Sequence, residues 1–406
     1  MTVAPPAPAE TTTRLRRGTV PLIALCCGVT VANIYVAHPL LTLLAEAFGV
    51  PGADAGVIIT ISQISYAAGL FFLVQLGDVV RRKRLLAVLV TGTSLGLLVA
   101  SVAVNLPMLA VATVVLSALT VAPHVLIPYA VSVVPRERQG RTLAMINAGM
   151  TGGIVLSRVI DAAVGDFVGW NAVYLLAAAT TVLVGTVTVL ILPREPKRPP
   201  IRYTRLVAST LRLLRDEPTV RWAVGFQIPV FATFNLVWVM IVFPLTDHYG
   251  MSVAAAGLFG MISLVTVATA PFVGRFLDAA GSATVMMTFL AVLVAGAGLL
   301  LLSELHLAFL VTGLALLNVG QQGTGISNQS RVLNLLPEAR SRLNTLYMTS
   351  NFIGGALASL LAVWVYAHFG WTGVTMAAFG TALVAAAVFT TERACRRRHG
   401  PAPTSG

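Results

Sequence analysis

Charged residues are scarce in this 406-residue chain: Asp, Glu, Lys and Arg together make up 10% of it, whereas 57% of the residues are hydrophobic. Soluble globular domains are roughly one quarter charged. This shortage excludes an ordinary soluble domain and indicates a protein that is largely embedded in lipid. Cysteine is also rare, and Cys26, Cys27 and Cys395 cannot form a disulfide framework.

Motifs for enzymatic chemistry are missing as well. The chain has no nucleotide-binding loop of the form G-x-x-x-x-G-K-[ST], which argues against ATP hydrolysis. We therefore expect no enzyme activity, no cofactor and no bound metal. The first apolar run starts near Val20, is long and lacks an obvious small-residue cleavage site, so no cleavable signal peptide is predicted.

About a dozen long apolar stretches make up most of the chain. A helix needs about 20 apolar residues to cross the hydrocarbon core of a bilayer. The stretches therefore predict an all-α membrane protein with 12 transmembrane helices. The predicted spans are residues 20–45, 55–76, 85–105, 108–133, 142–163, 171–192, 222–246, 253–273, 283–302, 307–330, 343–367 and 371–391.

Positive charge is distributed unevenly between the gaps. All but one of the 27 Lys and Arg residues lie in alternate gaps or in the two tails. Because Lys and Arg are retained on the cytoplasmic side, both termini of this multi-pass protein are predicted to be cytoplasmic. The net charge of +12 then indicates the anionic inner leaflet as a partner, not nucleic acid. The other gaps hold six acids: Glu46, Asp54, Asp161, Asp166, Asp247 and Glu304.

The chain divides into two halves that repeat each other. Six spans precede a stretch rich in proline and charge, which is predicted to be a cytoplasmic linker, and six follow it. Both halves have the same orientation, which predicts pseudo-two-fold symmetry about the membrane normal and a substrate site between the halves. The predicted regions are an amino tail (1–19), an N-terminal six-helix bundle (20–192), the linker (193–219), a C-terminal six-helix bundle (220–391) and a carboxyl tail (392–406).

The loop after the second span runs Val74-Gln75-Leu76-Gly77-Asp78-Val79-Val80-Arg81-Arg82-Lys83-Arg84-Leu85-Leu86. It resembles the signature loop of the major facilitator superfamily, G-x-L-[AG]-D-[RK]-x-G-[RK]-[RK]-x-x-[LI], and a weaker copy follows the eighth span. The resemblance implies the 12-helix facilitator fold and transport by alternating access. It also implies a cytoplasmic latch between the halves, although the basic run could serve topology alone. The latch residues would be Gly77, Asp78, Arg82, Lys83, Gly274 and Asp278.

The fifth span carries small residues four positions apart, Gly149, Gly153 and Ser157, which predicts a face for close helix packing. This segment is similar to the antiporter motif G-x-x-x-G-P-x-x-G-G of drug:proton exporters. Gly153 matches the first Gly of the motif, whereas Arg158 stands at the Pro position and Asp161 replaces a closing Gly. The similarity implies proton antiport.

Four titratable residues within or near the spans are candidates for coupling. Arg158 is the one basic residue outside the cytoplasmic gaps, and Asp161, three residues later, could pair with it. The alternatives are a structural ion pair or an Arg that extends to the outer headgroups. His38 and His124 could carry protons because histidine titrates near neutrality, or they could be packing residues.

Neutral polar and aromatic residues recur in the spans that, by resemblance, face a central cavity. No Asp or Glu lies in the central part of any span. An apolar wall with scattered hydrogen-bonding groups suits a medium-sized, weakly charged organic ligand, and interhelical hydrogen bonds are the alternative role. The candidates are Asn33, Gln63, Tyr66, Gln227, Phe234, Asn235, Trp238, Gln321, Gln322, Tyr347 and Asn351.

The combined pattern predicts a monomeric secondary transporter of the cell inner membrane. Its predicted activity is proton-coupled efflux of hydrophobic or amphipathic small molecules, as in drug resistance. One alternative is transport of a polar metabolite such as a sugar or organic acid, in which Arg158 would bind an anionic group. Another is a membrane receptor or scaffold without transport.

Asp78 should affect conformational exchange more than ligand affinity, because it is predicted to lie at the cytoplasmic face. We expect Asp78→Asn to lower turnover while expression and ligand binding stay nearly unchanged. Transport rates and binding isotherms on the same preparation test this. Lost binding with normal alternation would contradict it.

Overall fold

The described part of the chain is helical throughout. The computed structural model describes residues 18–77, 79–132, 134, 136–192, 202–336 and 339–399. Nine helices in these ranges are long and apolar enough to cross a membrane. The chain is therefore a multi-pass membrane protein, as predicted from its composition.

The predicted N-terminal bundle contains nine of the helices that we number along the chain. The first span is divided, because α1 ends at Ala32 and a 3₁₀ turn, His38–Leu40, precedes α2. Pro39 lies in that turn and has no N–H to continue an α-helix. The bounds are α1 Thr19–Ala32, α2 Leu41–Phe48, α3 Gly52–Ala55, α4 Val57–Leu76, α5 Arg82–Ser101, α6 Leu106–Leu119, α7 Ala122–Ser132, α8 Arg136–Phe167 and α9 Trp170–Ile191.

The remaining six helices follow in the second part of the chain. A π-helical turn, Pro244–His248, ends the helix that corresponds to the seventh span, and a 3₁₀ segment, Leu258–Ser263, joins α12 to α13. The bounds are α10 Tyr203–Asp216, α11 Pro218–Met240, α12 Val253–Gly257, α13 Leu264–Leu300, α14 Leu307–Leu333 and α15 Arg340–His399.

Two of these helices are too long for a single crossing. The 60 residues of α15 would extend about 90 Å, three times the thickness of the hydrocarbon core. Gly370 interrupts α15 with φ 60° and ψ −154°, and Gly281 interrupts α13 with φ 76° and ψ 159°. Positive φ favours glycine, which has no Cβ. Both interruptions fall where the sequence predicts a boundary between spans.

The count of twelve crossings stays a prediction. The nine candidate helices leave out the divided first span and α14, whose amide side chains lower its hydropathy. They also count the two predicted spans on either side of Gly370 as one helix. The symmetry between the halves stays a prediction as well.

Close backbone approach joins α1 to α8. A Cβ atom on Gly28 would collide with the carbonyl group of Gly149, and one on Gly153 would collide with Gly28. These contacts confirm that the small-residue face of the fifth span packs against another helix. Contacts between the two parts of the chain are made mainly by α4 with α15 and by α8 with α12.

The predicted linker contains a helix that sequence analysis missed. Residues 193–201 lie outside the described ranges, but α10 follows and contacts the end of α4. Tyr203 donates to the carbonyl oxygen of Phe72 at 2.8 Å, and Thr210 donates to Oε1 of Gln75 at 3.3 Å. Arg205 and Arg212 lie seven residues apart on its exposed side. This amphipathic pattern was the available signal.

The predicted carboxyl tail (392–406) begins within α15, which continues to His399. Glu392 is 1% exposed. It accepts hydrogen bonds from Arg331 at 3.0 Å and from Arg396 at 2.9 Å. These ion pairs stabilise the charged end of α15, which continues beyond the end of the apolar run.

We expect Glu392→Gln to destabilise the protein by about 3 kcal/mol, because it leaves the largely buried Arg331 without a countercharge. Thermal unfolding in detergent would measure the loss. Arg396→Gln is the matched control: its side chain is 53% exposed, so its pair should contribute less than about 1 kcal/mol. Equal losses in the two variants would contradict this assignment.

Candidate functional site

Side-chain hydrogen bonds join the two parts of the chain where α4 meets α11 and α15. Gln63 Nε2 donates to Oδ1 of Asn235 at 3.3 Å, and Asn235 Nδ2 donates to the carbonyl oxygen of Gly355 at 2.8 Å. One turn earlier on α4, Thr60 donates to Ser359 at 2.8 Å. All four side chains are buried. The structure thus brings together Gln63 and Asn235, two candidates for ligand binding, but they hydrogen-bond to each other.

Tyr66 lies at the same contact between α4 and α15. Its hydroxyl is 3.1 Å from Nε2 of His124 on α7, and its ring packs edge-on against Phe352 at 4.3 Å between centroids. Tyr66 is fully buried, whereas His124 is partly exposed. His124 therefore connects to the contact between the two parts of the chain through a single hydroxyl group.

A second polar cluster lies within the C-terminal part. Oε1 of Gln227 accepts from Nδ2 of Asn328 at 3.1 Å and from the hydroxyl of Tyr347 at 2.9 Å. Sequence analysis missed Asn328, which is fully buried. Its position seven residues after Gln321, two helical turns along the same face of α14, was the available signal.

Four other candidates are only partly buried: Phe234, Gln321, Gln322 and Asn351. Within the described ranges, the side-chain amides of Gln321 and Gln322 form no hydrogen bond. The ring of Phe234 lies 5.9 Å from that of Phe231 and 6.0 Å from that of Trp238. The two amides and the ring of Phe234 are therefore only partly enclosed by protein, whereas Phe231 and Trp238 are buried.

Arg158 lies where α8 meets α11 and α12, and its side chain stacks on aromatic rings. Its guanidinium carbon is 3.9 Å from the centroid of Trp238 and 5.6 Å from that of Tyr35. Arg158 is 5% exposed, and its Nε and Nη1 atoms have no hydrogen-bond partner in the described part of the chain. His38, also buried, lines a small cavity of about 30 Å³ beside Arg158. Two coupling candidates are thus neighbours.

The expected ion pair between Arg158 and Asp161 is not present in this structure. The described salt bridges do not include it, and the two side chains line different cavities. Residues three apart on a helix differ in direction by about 60°. Gly260, which has no side chain, leaves room for the stem of Arg158 to extend towards Trp238. Asp161 is directed instead to the side of α8 that faces α1 and α9.

Asn33 is also away from the contact between the two parts of the chain. Its Nδ2 donates to the hydroxyl of Thr181 on α9 at 2.9 Å, and the residue lines the same cavity as Asp161. The structure therefore separates Asn33 from Gln63 and Asn235, with which it was grouped as a cavity residue.

The predicted latch is described only in part. Asp78 lies outside the described residues, as does the side chain of Asp278. Lys83 donates to the carbonyl oxygens of Leu190 at 3.3 Å and of Leu192 at 2.8 Å, at the end of α9. A cation at a helix C-terminus is favourable. Lys83 thus binds within its own half here, while Gly77, Arg82 and Gly274 remain predicted latch residues.

Glycines allow α8 and α12 to meet closely, a feature that sequence analysis did not single out. A Cβ atom on Gly257 would collide with that of Ala162, and one on Gly260 would lie 2.8 Å from Cβ of Arg158. Near the end of α8, Asp166 accepts a hydrogen bond from the backbone N–H of Ala254 at 3.3 Å. Two positions facing α8 therefore have no side chain: Gly257 at the end of α12 and Gly260 in the 3₁₀ segment that follows.

Comparisons with known proteins are consistent over nearly the whole chain. Residues 23–334 and 227–405 match the Major Facilitator Superfamily. A probable transporter of Streptomyces coelicolor is 36% identical over 358 residues, which are 87% of this chain and 83% of that protein. The uncharacterized transporter YgaY of Escherichia coli K12 is 31% identical over 371 residues, 89% of this chain and 92% of its own length.

Solved structures show the same fold at low sequence identity. An inward-facing bacterial homologue of the human lysosomal transporter Spinster has a TM-score of 0.76 at 13% identity, covering 98% of this chain and all of that one. The nucleoside transporter NupG has a TM-score of 0.75 at 16% identity, covering 92% and 99% of the two chains. At these identities the likeness concerns the fold alone.

We expect Gly257→Ala to weaken the contact between α8 and α12, because the added methyl group meets a Cβ atom that cannot move aside. In purified protein that carries Ala254→Cys as a reporter, maleimide labelling should become several times faster. Gly380→Ala is the matched control, since a Cβ atom there meets nothing within 4 Å. Unchanged labelling in Gly257→Ala would show that the contact tolerates the methyl group.

Proposed function

Because the chain belongs to the major facilitator superfamily, and the relatives that it matches are transporters and not enzymes, we propose that it exports hydrophobic or amphipathic small molecules. The proposed mechanism is alternating access driven by proton antiport. Two six-helix halves, twelve crossings and cytoplasmic termini are part of this proposal. The observation that carries it is the aromatic row of α11, combined with unpaired, partly buried amides on α14.

The aromatic row favours an apolar ligand. Phe234 is the partly exposed ring of this row, and Gln321 and Gln322 offer hydrogen bonds without formal charge; Phe231 and Trp238 are buried beside Phe234. Drug-sized ligands bind to sites with this mixture of many apolar groups and few polar ones. Asn235 is paired at both atoms of its amide, and Oε1 of Gln227 accepts two hydrogen bonds, so both side chains hold helices together; Nε2 of Gln227 is buried without a partner in the described part of the chain.

The contacts between the two parts of the chain support alternation. The polar bonds between α4 and its partners are few, and interhelical hydrogen bonds in membranes contribute on average about 0.6 kcal/mol each. Where α8 meets α12 and the following 3₁₀ segment, Gly257 faces Ala162 and the backbone of Arg158, and Gly260 faces the aliphatic stem of Arg158. Such a surface can separate without leaving many unpaired polar groups in lipid, which rigid-body movement of two halves requires.

We propose that Arg158, which lies at the contact between the halves, takes part in coupling or in substrate binding. Its cation is buried without a carboxylate partner, an arrangement that is costly in a membrane and typical of functional positions. Its free Nε and Nη1 atoms also favour a second candidate function, transport of a polar metabolite with an anionic group. An organic acid would then be the substrate.

Everted vesicles from cells that express the protein test the proposal. After drug-susceptibility profiling has identified a substrate, vesicles with an acidic interior should accumulate it, and a protonophore should abolish the accumulation. Accumulation that does not respond to the proton gradient would contradict antiport. Accumulation of organic acids, with no drug transported, would favour the second candidate.

In the same assay, we expect Arg158→Ala to lower the transport rate by about tenfold or more, because a desolvated cation–π contact is worth about 2 kcal/mol. Arg158→Lys should retain part of the activity, since it keeps the charge but loses the planar stacking group. Arg393→Ala is the matched control: it removes an Arg stacked at 5.7 Å on Phe389 at the charged end of α15. Normal transport by Arg158→Ala would contradict a coupling role for Arg158 and leave His38 and His124 as the candidates for proton coupling.

A further inference from the structure

A groove of about 480 Å³ lies on the side of the N-terminal bundle, between α1, α8 and α9. Its walls are apolar except at a few positions, and glycines of the α1–α8 contact form its floor. The groove is separate from the contacts between the two parts of the chain. The residues that matter for its chemistry are Leu25, Asn33, Gly152, Leu156, Ile160 and Asp161.

Asp161 gives this groove a single acidic group without a partner. The residue is 7% exposed. Within the described ranges its carboxyl group accepts no hydrogen bond and forms no ion pair, because Arg158 extends away from the groove towards Trp238. A carboxylate in an apolar site is strongly unfavourable unless a proton or a cation neutralises it. A cation that enters the groove from the lipid can supply this neutralisation in place of a proton.

The groove opens towards the lipid and not towards the aqueous phase. Leu25 is 53% exposed, Leu156 is 59% exposed and Ile160 is 44% exposed. In a membrane-spanning bundle, apolar side chains with this exposure face acyl chains. A ligand that dissolves in the bilayer can therefore reach Asp161 from the side, without passing through a central cavity.

We propose that this lateral groove binds lipophilic amines from the membrane. The ammonium group donates charge-assisted hydrogen bonds to the carboxylate of Asp161. The apolar remainder of the ligand lies along Leu25, Leu156 and Ile160. The volume of the groove is in the range of sites for small organic ligands. This site is independent of the proposed export function, because binding here requires neither a proton gradient nor the cavity between the halves.

Binding to purified protein in nanodiscs tests the proposal. The probes are a tritiated naphthylalkylamine and the alcohol with the same carbon skeleton, with empty nanodiscs to subtract partition into lipid. We expect the amine to bind at least about tenfold more tightly than the alcohol, since a charge-paired hydrogen bond in a desolvated site contributes this much or more. Asp161→Asn should abolish the preference for the amine and leave binding of the alcohol nearly unchanged.

Gly152→Leu supplies a second test that leaves the carboxylate intact. Gly152 lines the groove, and a Cβ atom there meets nothing within 4 Å, so a larger side chain starts in open space beside the ligand. It should reduce binding of both probes by about tenfold or more, since it occupies their space. Gly380→Leu, also in open space, is the control and should bind both probes like the parent protein.

Three results would overturn the proposal. The first is equal affinity for amine and alcohol, which would mean that Asp161 holds a proton and attracts no cation. The second is an amine preference that survives Asp161→Asn in protein that elutes as a single species. The third is binding that is insensitive to Gly152→Leu, which would place the ligand elsewhere. Loss of proton-driven export without loss of amine binding would contradict only the proposed function.

Discussion

Lipid offers no hydrogen bonds, and this constraint explains most of the structure. Each backbone N–H and C=O group within the membrane must be paired inside the protein, which restricts the crossings to helices. The same constraint acts on side chains. Gln63 pairs with Asn235, Tyr66 with His124, and Gln227 with Asn328 and Tyr347. Polar residues in the spans therefore carry much of the specificity of helix packing, in the absence of a hydrophobic driving force between helices.

Glycine provides the second means by which the helices associate. The α1–α8 contact within the N-terminal bundle and the α8–α12 contact between the two parts both depend on missing side chains. The first has glycines on both helices and is close at the backbone. The second has glycines on one side only, against Arg158 and Ala162. One helix, α8, thus takes part in a tight contact within its bundle and in a contact that the proposed mechanism must open.

Arg158 and Asp161 show how packing separates residues that sequence spacing suggests should be partners. The guanidinium group is held by the rings of Trp238 and Tyr35, and the carboxyl group lies in a lipid-facing groove. Each charge therefore has its own environment: aromatic faces for the cation and an apolar cavity for the acid. The two environments differ in this way although the residues are less than one helical turn apart.

The sequence by itself showed long apolar stretches, an uneven distribution of positive charge and a resemblance to the family, because apolar length, basic gaps and signature loops are local properties. It also identified the small face of the fifth span. Only the tertiary structure decided which amides pair with each other, that Arg158 stacks on Trp238, that α10 binds the end of α4 and that Glu392 extends α15. Those outcomes depend on which helix faces which, and residues at the same helical spacing can face different neighbours.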